Sequence, residues 1–180
     1  MPLRSRGELV TDAMKLCADQ YANYSARFAA IDTKAQGTAA IAGVLLGATL
    51  AFVPQALFRA VVGYYGPTGV SPILAAVALA IAGILFATHA LHVKPARIPF
   101  RGEIVAQETK NLLCLSDSDL TDEFIERHYG SQLTEWQLTL GEMASIINDK
   151  SRALRRSQLS VAGSAASVAV FVCVVVLAAI

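Results

Sequence analysis

Three stretches of the chain are almost entirely apolar, and each is as long as a helix that crosses a lipid bilayer. They are residues 35–53, 72–93 and 159–180, and none of them contains Asp, Glu, Lys or Arg. A helix needs about 20 apolar residues to cross the hydrocarbon layer. The pattern therefore predicts an all-α integral membrane protein with three transmembrane helices.

The two charged segments, residues 1–34 and 94–158, have apolar positions at alternating steps of four and three residues. This heptad spacing is typical of helices that pack side by side. We predict two long cytosolic helices that continue into spans one and three and pair in parallel, within one subunit or between subunits. The seam positions are Val10, Met14, Cys17, Tyr21, Tyr24, Phe28 and Ile31 in the first segment and Tyr129, Leu133, Trp136, Leu140, Met143 and Ile147 in the second.

The basic residues predict the orientation of the chain. Of 15 Lys and Arg, all except Arg59 lie in the two charged segments. Short loops rich in Lys and Arg stay in the cytosol, so we expect a multi-pass membrane protein whose N-terminus is cytosolic. Its predicted parts are a cytosolic amphipathic helix at 1–34, a two-span hairpin at 35–93 with an outer loop at 54–71, a cytosolic helical region at 94–158, and a third span at 159–180 whose end faces outward.

Small side chains recur inside the predicted spans. Rows of small residues let helices approach closely where lipid gives no hydrophobic drive for association. Since three spans are too few to enclose an ion path, we predict a homo-oligomer. The rows are Ala39, Gly43, Gly47 and Ala51 in span one, Ala75, Gly83 and Ala87 in span two, and Ser160, Gly163, Ser164 and Ser167 in span three.

The sequence contains no recognisable catalytic motif, and we predict that the protein is not an enzyme. Its three cysteines are far apart and lack metal-ligand spacing. His89 and His92 lie three residues apart, but no second pair of ligands accompanies them, so no metal site is predicted. The basic stretch 150–156 has no interleaved aromatic residues for stacking on bases, which favours lipid headgroups over nucleic acid as its partner.

The sequence from Arg27 through Phe28, Ala29, Ala30, Ile31, Asp32, Thr33 and Lys34 to Ala35 leads directly into a glycine-rich span. With Arg27, Asp32 and Lys34 it resembles the opening of the Pycsar transmembrane effector family and, more loosely, the SLATT-type membrane effectors. The likeness continues through the proline-containing exit from span two, the residues Phe100 to Ile104, and the basic stretch before span three.

The resemblance implies an antiviral (antiphage) membrane effector. A partner pyrimidine cyclase would make cyclic CMP or cyclic UMP on infection, and the effector would respond by disrupting the inner membrane in an abortive infection. This activating nucleotide is the only small molecule expected, with no cofactor. Because no separate nucleotide-binding domain is visible, Arg97, Arg101 and Lys110 are the candidates to bind the cyclic phosphate.

Two alternatives remain open at this stage. In the first alternative, the protein would act as a membrane scaffold that recruits a soluble partner through its cytosolic helices and permeabilises nothing. In the other alternative, a membrane-bound hydrolase would use His89 and His92.

Overall fold

The computed structural model describes residues 6–52, 63, 69–92, 110 and 122–179, and this part of the chain is all-helical, without β-strands. Its three long helices are named here in chain order. They are α1 (Arg6–Phe52), α2 (Ser71–Leu91) and α3 (Asp122–Ala179), with 47, 21 and 58 residues.

Helices α1 and α3 each join a charged segment to an apolar segment without a break, as the sequence pattern predicts. The shorter α2 begins with a proline in its first turn and ends at Leu91, where the backbone N–H of His92 donates to the carbonyls of Thr88 and His89. Proline suits the first turn because the backbone N–H groups there have no hydrogen-bond partner within the helix, so the N–H that proline lacks is not missed.

Two helical segments, Ser71–Leu91 and Arg127–Leu177, are long and apolar enough to cross a membrane. The first agrees with predicted span two and the second contains most of predicted span three. Predicted span one occupies the last part of α1 up to Phe52, and its position in a membrane stays a prediction, as do the cytosolic location of the charged segments and the outer loop. Most of that loop lies outside the described residues.

The chain divides into two compact units. The first consists of Met1–Phe28 and Lys94–Ile147, and its described residues come from the charged parts of α1 and α3. Here the predicted seam is the covered side of both helices, with Trp136 and Met143 buried. The rings of Tyr21 and Trp136 pack edge to face with centroids 5.8 Å apart, so the two seams contact each other within a single chain.

The second unit consists of Ala29–Val93 and Asn148–Ile180 and holds parts of all three helices. The buried positions of α2 alternate between steps of three and four, and most of those of α1 and α3 are three, four or seven residues apart, a spacing that lets helices cross at a shallow angle of about 20°. The buried residues of α2 are Ile73, Ala76, Ala80, Gly83, Ala87 and Ala90. Those of α1 are Ala35, Thr38, Ala42 and Thr49, and those of α3 are Lys150, Ala153, Leu154, Ser157, Ser164 and Phe171.

The rows predicted from steps of four residues differ from these buried faces. Gly43, Gly47 and Ala51 are exposed and Ala39 is half-buried, and a Cβ added at either glycine would meet nothing within 4 Å. Four residues turn a helix about 40° beyond a full turn, so a row at this spacing drifts away from a straight seam. For the same reason Ala75 is exposed while its neighbour Ala76 is buried. The role of the span-one row in packing between subunits stays a prediction.

Candidate functional site at the junction of three helices

The second unit has small residues in its interior and large apolar residues on its surface. Its buried residues are mostly Ala, Gly, Ser and Thr, whereas large aliphatic side chains such as Val44 (72% exposed), Leu85 and Leu159 point outward. Water-soluble bundles place large aliphatic residues in the core. Small residues between helices and large apolar ones on the outside are the arrangement that suits helices surrounded by lipid.

An ion pair joins α1 to α3, three residues before the apolar segment of α1 and nine residues before that of α3. Lys150 Nζ lies 2.7 Å from Asp32 Oδ1, and the lysine side chain is only 5% exposed, against 35% for the aspartate. A buried ammonium is stable only when a countercharge and hydrogen bonds replace the water it has lost. Asp32 supplies that countercharge, and the two residues fix the position of α1 along α3.

Small residues surround the ion pair and bring the three helices together. Ala35 of α1, Ala90 of α2, and Ala153 and Leu154 of α3 form one buried cluster. Ile31 and Leu91 pack against it from the sides. Three alanines at this point let the helix backbones approach closely and leave room for the long lysine side chain, whose position on α3 is three residues before Ala153.

Two serines of α3 donate hydrogen bonds to the backbone of α2. Ser157 Oγ lies 2.7 Å from the carbonyl oxygen of Gly83, and Ser164 Oγ lies 2.8 Å from that of Ala76. Both serines are fully buried. As residue numbers rise along α3 they fall along α2, so the two helices are antiparallel, and both pairs of partners are seven residues apart.

Two glycines allow close contact between the same helices. A Cβ built on Gly83 would lie 2.9 Å from Cγ2 of Val161 and 3.6 Å from the carbonyl oxygen of Ser157. A Cβ on Gly163 would lie 3.2 Å from Cδ1 of Leu79. Of the small residues predicted for packing, Gly83, Ala87, Gly163 and Ser164 are therefore in or beside this interface, while Ser160 and Ser167 are half-buried.

The basic residues separate into one that is buried and several that are exposed. Lys150 faces the helix junction, whereas Arg152, Arg155 and Arg156 of the same basic stretch are exposed. Of the three charged residues in the family-like motif, Arg27 and Lys34 are also exposed, and Asp32 forms the ion pair with α3.

The predicted ligand-binding residues are not brought together in the described part of the chain. Arg97 and Arg101 lie outside the described residues, and Lys110 is described only as an exposed helical residue. His89 and His92 are both exposed. Among the described residues there is no group of three or more His, Cys, Asp or Glu that could hold a metal ion.

The ion pair and the Ser157 contact are the features that the sequence analysis missed. A signal for both was present, because Lys150 and Ser157 continue the seven-residue series that contains Trp136 and Met143. A lysine at a position that a heptad repeat buries requires a carboxylate nearby. Asp32, next to the last seam residue of the first segment, was the available candidate.

No protein-family model, curated protein or solved structure matches this chain. The likeness to the Pycsar transmembrane effectors therefore stays a prediction, based on the short motifs given above.

Proposed function

We propose that the protein is an antiviral effector of the bacterial inner membrane, which responds to a cyclic pyrimidine mononucleotide by making that membrane leaky. In this proposal the apolar parts of α1, α2 and α3 span the bilayer as a homo-oligomer, the charged segments are cytosolic, and the C-terminus faces outward. A partner pyrimidine cyclase supplies cyclic CMP or cyclic UMP when the cell is infected.

The observation that carries the proposal is the packing of the second unit, which is the reverse of that in a water-soluble bundle. Large aliphatic side chains on all three helices point away from the chain, and small or hydroxylated ones lie between the helices. Exposing so many large apolar groups to water would cost about 25 cal/mol for each Å². Lipid removes that cost, and further copies of the chain would cover part of the same surface.

The unbroken helices supply a route from ligand to membrane. Because α1 and α3 each run from a charged segment into an apolar one, a change in how the charged segments pack alters helices that continue among the apolar ones. A ligand changes this equilibrium only if it binds one packing more tightly than the other. Cationic side chains of the 94–158 segment would provide that affinity by binding the cyclic phosphate.

The test is to express the chain in bacterial cells and follow a voltage-sensitive dye while cyclic CMP or cyclic UMP is produced. Cyclic AMP and the absence of any cyclase serve as controls, and resistance to alkaline extraction verifies insertion. We expect depolarisation with a cyclic pyrimidine nucleotide only. An inserted protein that leaves the potential unchanged with both pyrimidine nucleotides refutes the proposal.

Charge-removing variants locate the nucleotide site. Arg97→Ala, Arg101→Ala and Lys110→Ala should each raise the nucleotide concentration needed for depolarisation, because each removes a cation from the proposed phosphate site. Arg127→Ala, which removes an exposed arginine of the same segment from α3, is the matched control. An equal shift for all four variants would indicate general electrostatics and not a site.

Exposed leucines favour a second function, that of a membrane scaffold. Leu9, Leu16 and Leu138 lie in the charged parts of α1 and α3 and are each more than half exposed. Leu9 and Leu16 are seven residues apart and share one side of α1, next to the seam. Such residues would give a soluble partner an apolar surface to bind.

The two functions predict different responses of the membrane potential to the nucleotide. For the scaffold, Leu9→Ser with Leu16→Ser should abolish capture of the partner from the cytosol, and the membrane potential should stay constant under every nucleotide. For the effector, the same double variant should keep nucleotide-dependent depolarisation.

A further inference from the structure

The two helix interfaces of the second unit are built differently. Between α2 and α3, two buried serines donate to backbone carbonyls, and Gly83 and Gly163 admit side chains of the opposite helix. Backbone carbonyls cannot rotate away as side chains can. Separating these two helices, or sliding them by less than one seven-residue repeat, would therefore break both hydrogen bonds at once and leave buried hydroxyl groups without partners.

The interface of α1 is simpler. Its buried threonines in this unit, Thr38 and Thr49, donate to carbonyls of their own helix, those of Lys34 and Leu45. The polar contact described between this part of α1 and another helix is the ion pair of Asp32 with Lys150. The remaining contacts of α1 described there are apolar and involve small side chains such as Ala35.

We propose that α2 and α3 form a fixed pair, and that α1 is the movable helix, held against this pair by an autoinhibitory ion pair between Asp32 and Lys150. This inference rests on the proposed function and adds its regulation. While the ion pair is intact, α1 stays packed and the membrane stays sealed. When a ligand favours a packing in which the pair is separated, the apolar part of α1 leaves the junction and the helices repack.

The charges explain why this contact suits a switch. Lys150 is buried, and the Asp32 carboxylate beside it offsets part of the cost of burying its ammonium in the packed state. Asp32 is partly exposed and can take up water when the helices separate. The contact lies ahead of the apolar segments of both helices, where a lysine released from the junction reaches the membrane surface with its long side chain. Removing either charge therefore weakens the attraction that holds α1 against α3.

The first measurement follows α1 directly and needs neither a nucleotide nor a leak. Full-length protein in lipid vesicles, with its native cysteines replaced by serine, carries one of two cysteine pairs. Ala35→Cys with Ala153→Cys reports contact between α1 and α3, because both residues belong to one cluster. Ile73→Cys with Phe171→Cys reports contact between α2 and α3 in the same way. The rate of disulfide formation is measured for each pair.

Asp32→Asn is then added to each reporter. We expect disulfide formation between positions 35 and 153 to be about tenfold slower, since the buried Lys150 loses the carboxylate that binds it across the interface between α1 and α3, while the 73–171 pair is unaffected. Asp32→Glu, which keeps the charge, should restore most of the rate. Equal slowing of both reporters, or of neither, overturns the proposal, because α1 would then not be the helix that the ion pair holds.

The second measurement is the dye assay in cells without cyclase. Asp32→Asn should depolarise the membrane without nucleotide, and exchanging the charges with Asp32→Lys and Lys150→Asp should reduce that leak. Ser157→Ala with Ser164→Ala, which weakens the α2–α3 contact, should not cause it. Slower disulfide formation without any leak would leave α1 as the movable helix and refute the effector function instead. A leak from the serine variant equal to that of Asp32→Asn overturns the proposal.

Discussion

Replacing Gly83 with alanine tests whether α2 and α3 are as close as the structure has them. The added Cβ would lie 2.9 Å from Cγ2 of Val161, a distance that requires one of the two atoms to move. Valine in a helix has one strongly preferred rotamer, so Val161 cannot rotate its methyl group away at little cost. The helices must separate slightly, which also lengthens the hydrogen bond from Ser157 to the Gly83 carbonyl.

The expected change in stability is the sum of two opposing effects. Forcing one methyl group into a packed interface costs about 1–3 kcal/mol. Alanine also stabilises a helix relative to glycine by about 1 kcal/mol. Gly37→Ala is the matched control because it gains the second effect without the first, having nothing within 4 Å of its added Cβ. Gly83→Ala should therefore be less stable than Gly37→Ala by about 1–3 kcal/mol.

The assay needs a probe on the apolar helices. Intrinsic tryptophan fluorescence does not report on them, because the only tryptophan, Trp136, lies in the first unit. A short-range fluorescence quenching pair is attached to Cys173 and to a cysteine at Leu74, both exposed positions near one end of the α2–α3 pair. Reversible separation of the helices is followed as SDS replaces a mild detergent.

A double-mutant cycle checks the cause. Val161→Ala removes the methyl groups that the new Cβ would meet, so adding it to Gly83→Ala should recover about 1 kcal/mol or more relative to the sum of the single effects. If Gly83→Ala and Gly37→Ala have the same stability, or if Val161→Ala gives no recovery, the close contact between α2 and α3 is wrong.

Two further predictions concern other parts of the chain. Thr139 Oγ1 is buried and has no hydrogen-bond partner in the part of the chain that the structure describes, so Thr139→Val should raise the free energy of unfolding by about 1 kcal/mol. Thr134→Val, at an exposed hydroxyl that donates to its own helix, should change thermal unfolding less, and a destabilised Thr139→Val would contradict this reasoning. Gly43→Ile with Gly47→Ile should lower the cross-linked oligomer in detergent about tenfold, or about 1.4 kcal/mol, with the 73–171 disulfide unaffected; an unchanged oligomer would exclude this face as the interface.

The sequence predicted the parts of the fold that depend on helix periodicity. The alternation of four and three from Val10 to Ile31 marks the covered side of α1, because a heptad series follows one face of a helix for its whole length. The unbroken passage into an apolar segment was predictable as well, since neither α1 nor α3 contains a proline.

Residue size alone did not predict which residues face another helix of the same chain. Ala39, Gly43, Gly47 and Ala51 are small enough for close packing, yet three of them are exposed, because spacing and not size decides which side faces the neighbouring helix. Conversely, Lys150 is charged and still buried, since its position in the repeat places it at the junction and Asp32 compensates its charge. Such a pair depends on the relative register of two helices that are far apart in sequence, and no local pattern specifies that register.

A helix that repeats every seven residues can be displaced by one repeat, about 10 Å, and still meet similar groups. If α3 were displaced in this way, Ser157 would lie opposite Ala76 and would still find a carbonyl oxygen. Val161 would then meet an alanine methyl group where it now meets Gly83, which is the single glycine of α2. Gly83 thus distinguishes correct pairing from mispairing when α3 packs against α2, and losing it would produce misassembled protein even where the correctly paired form remains stable.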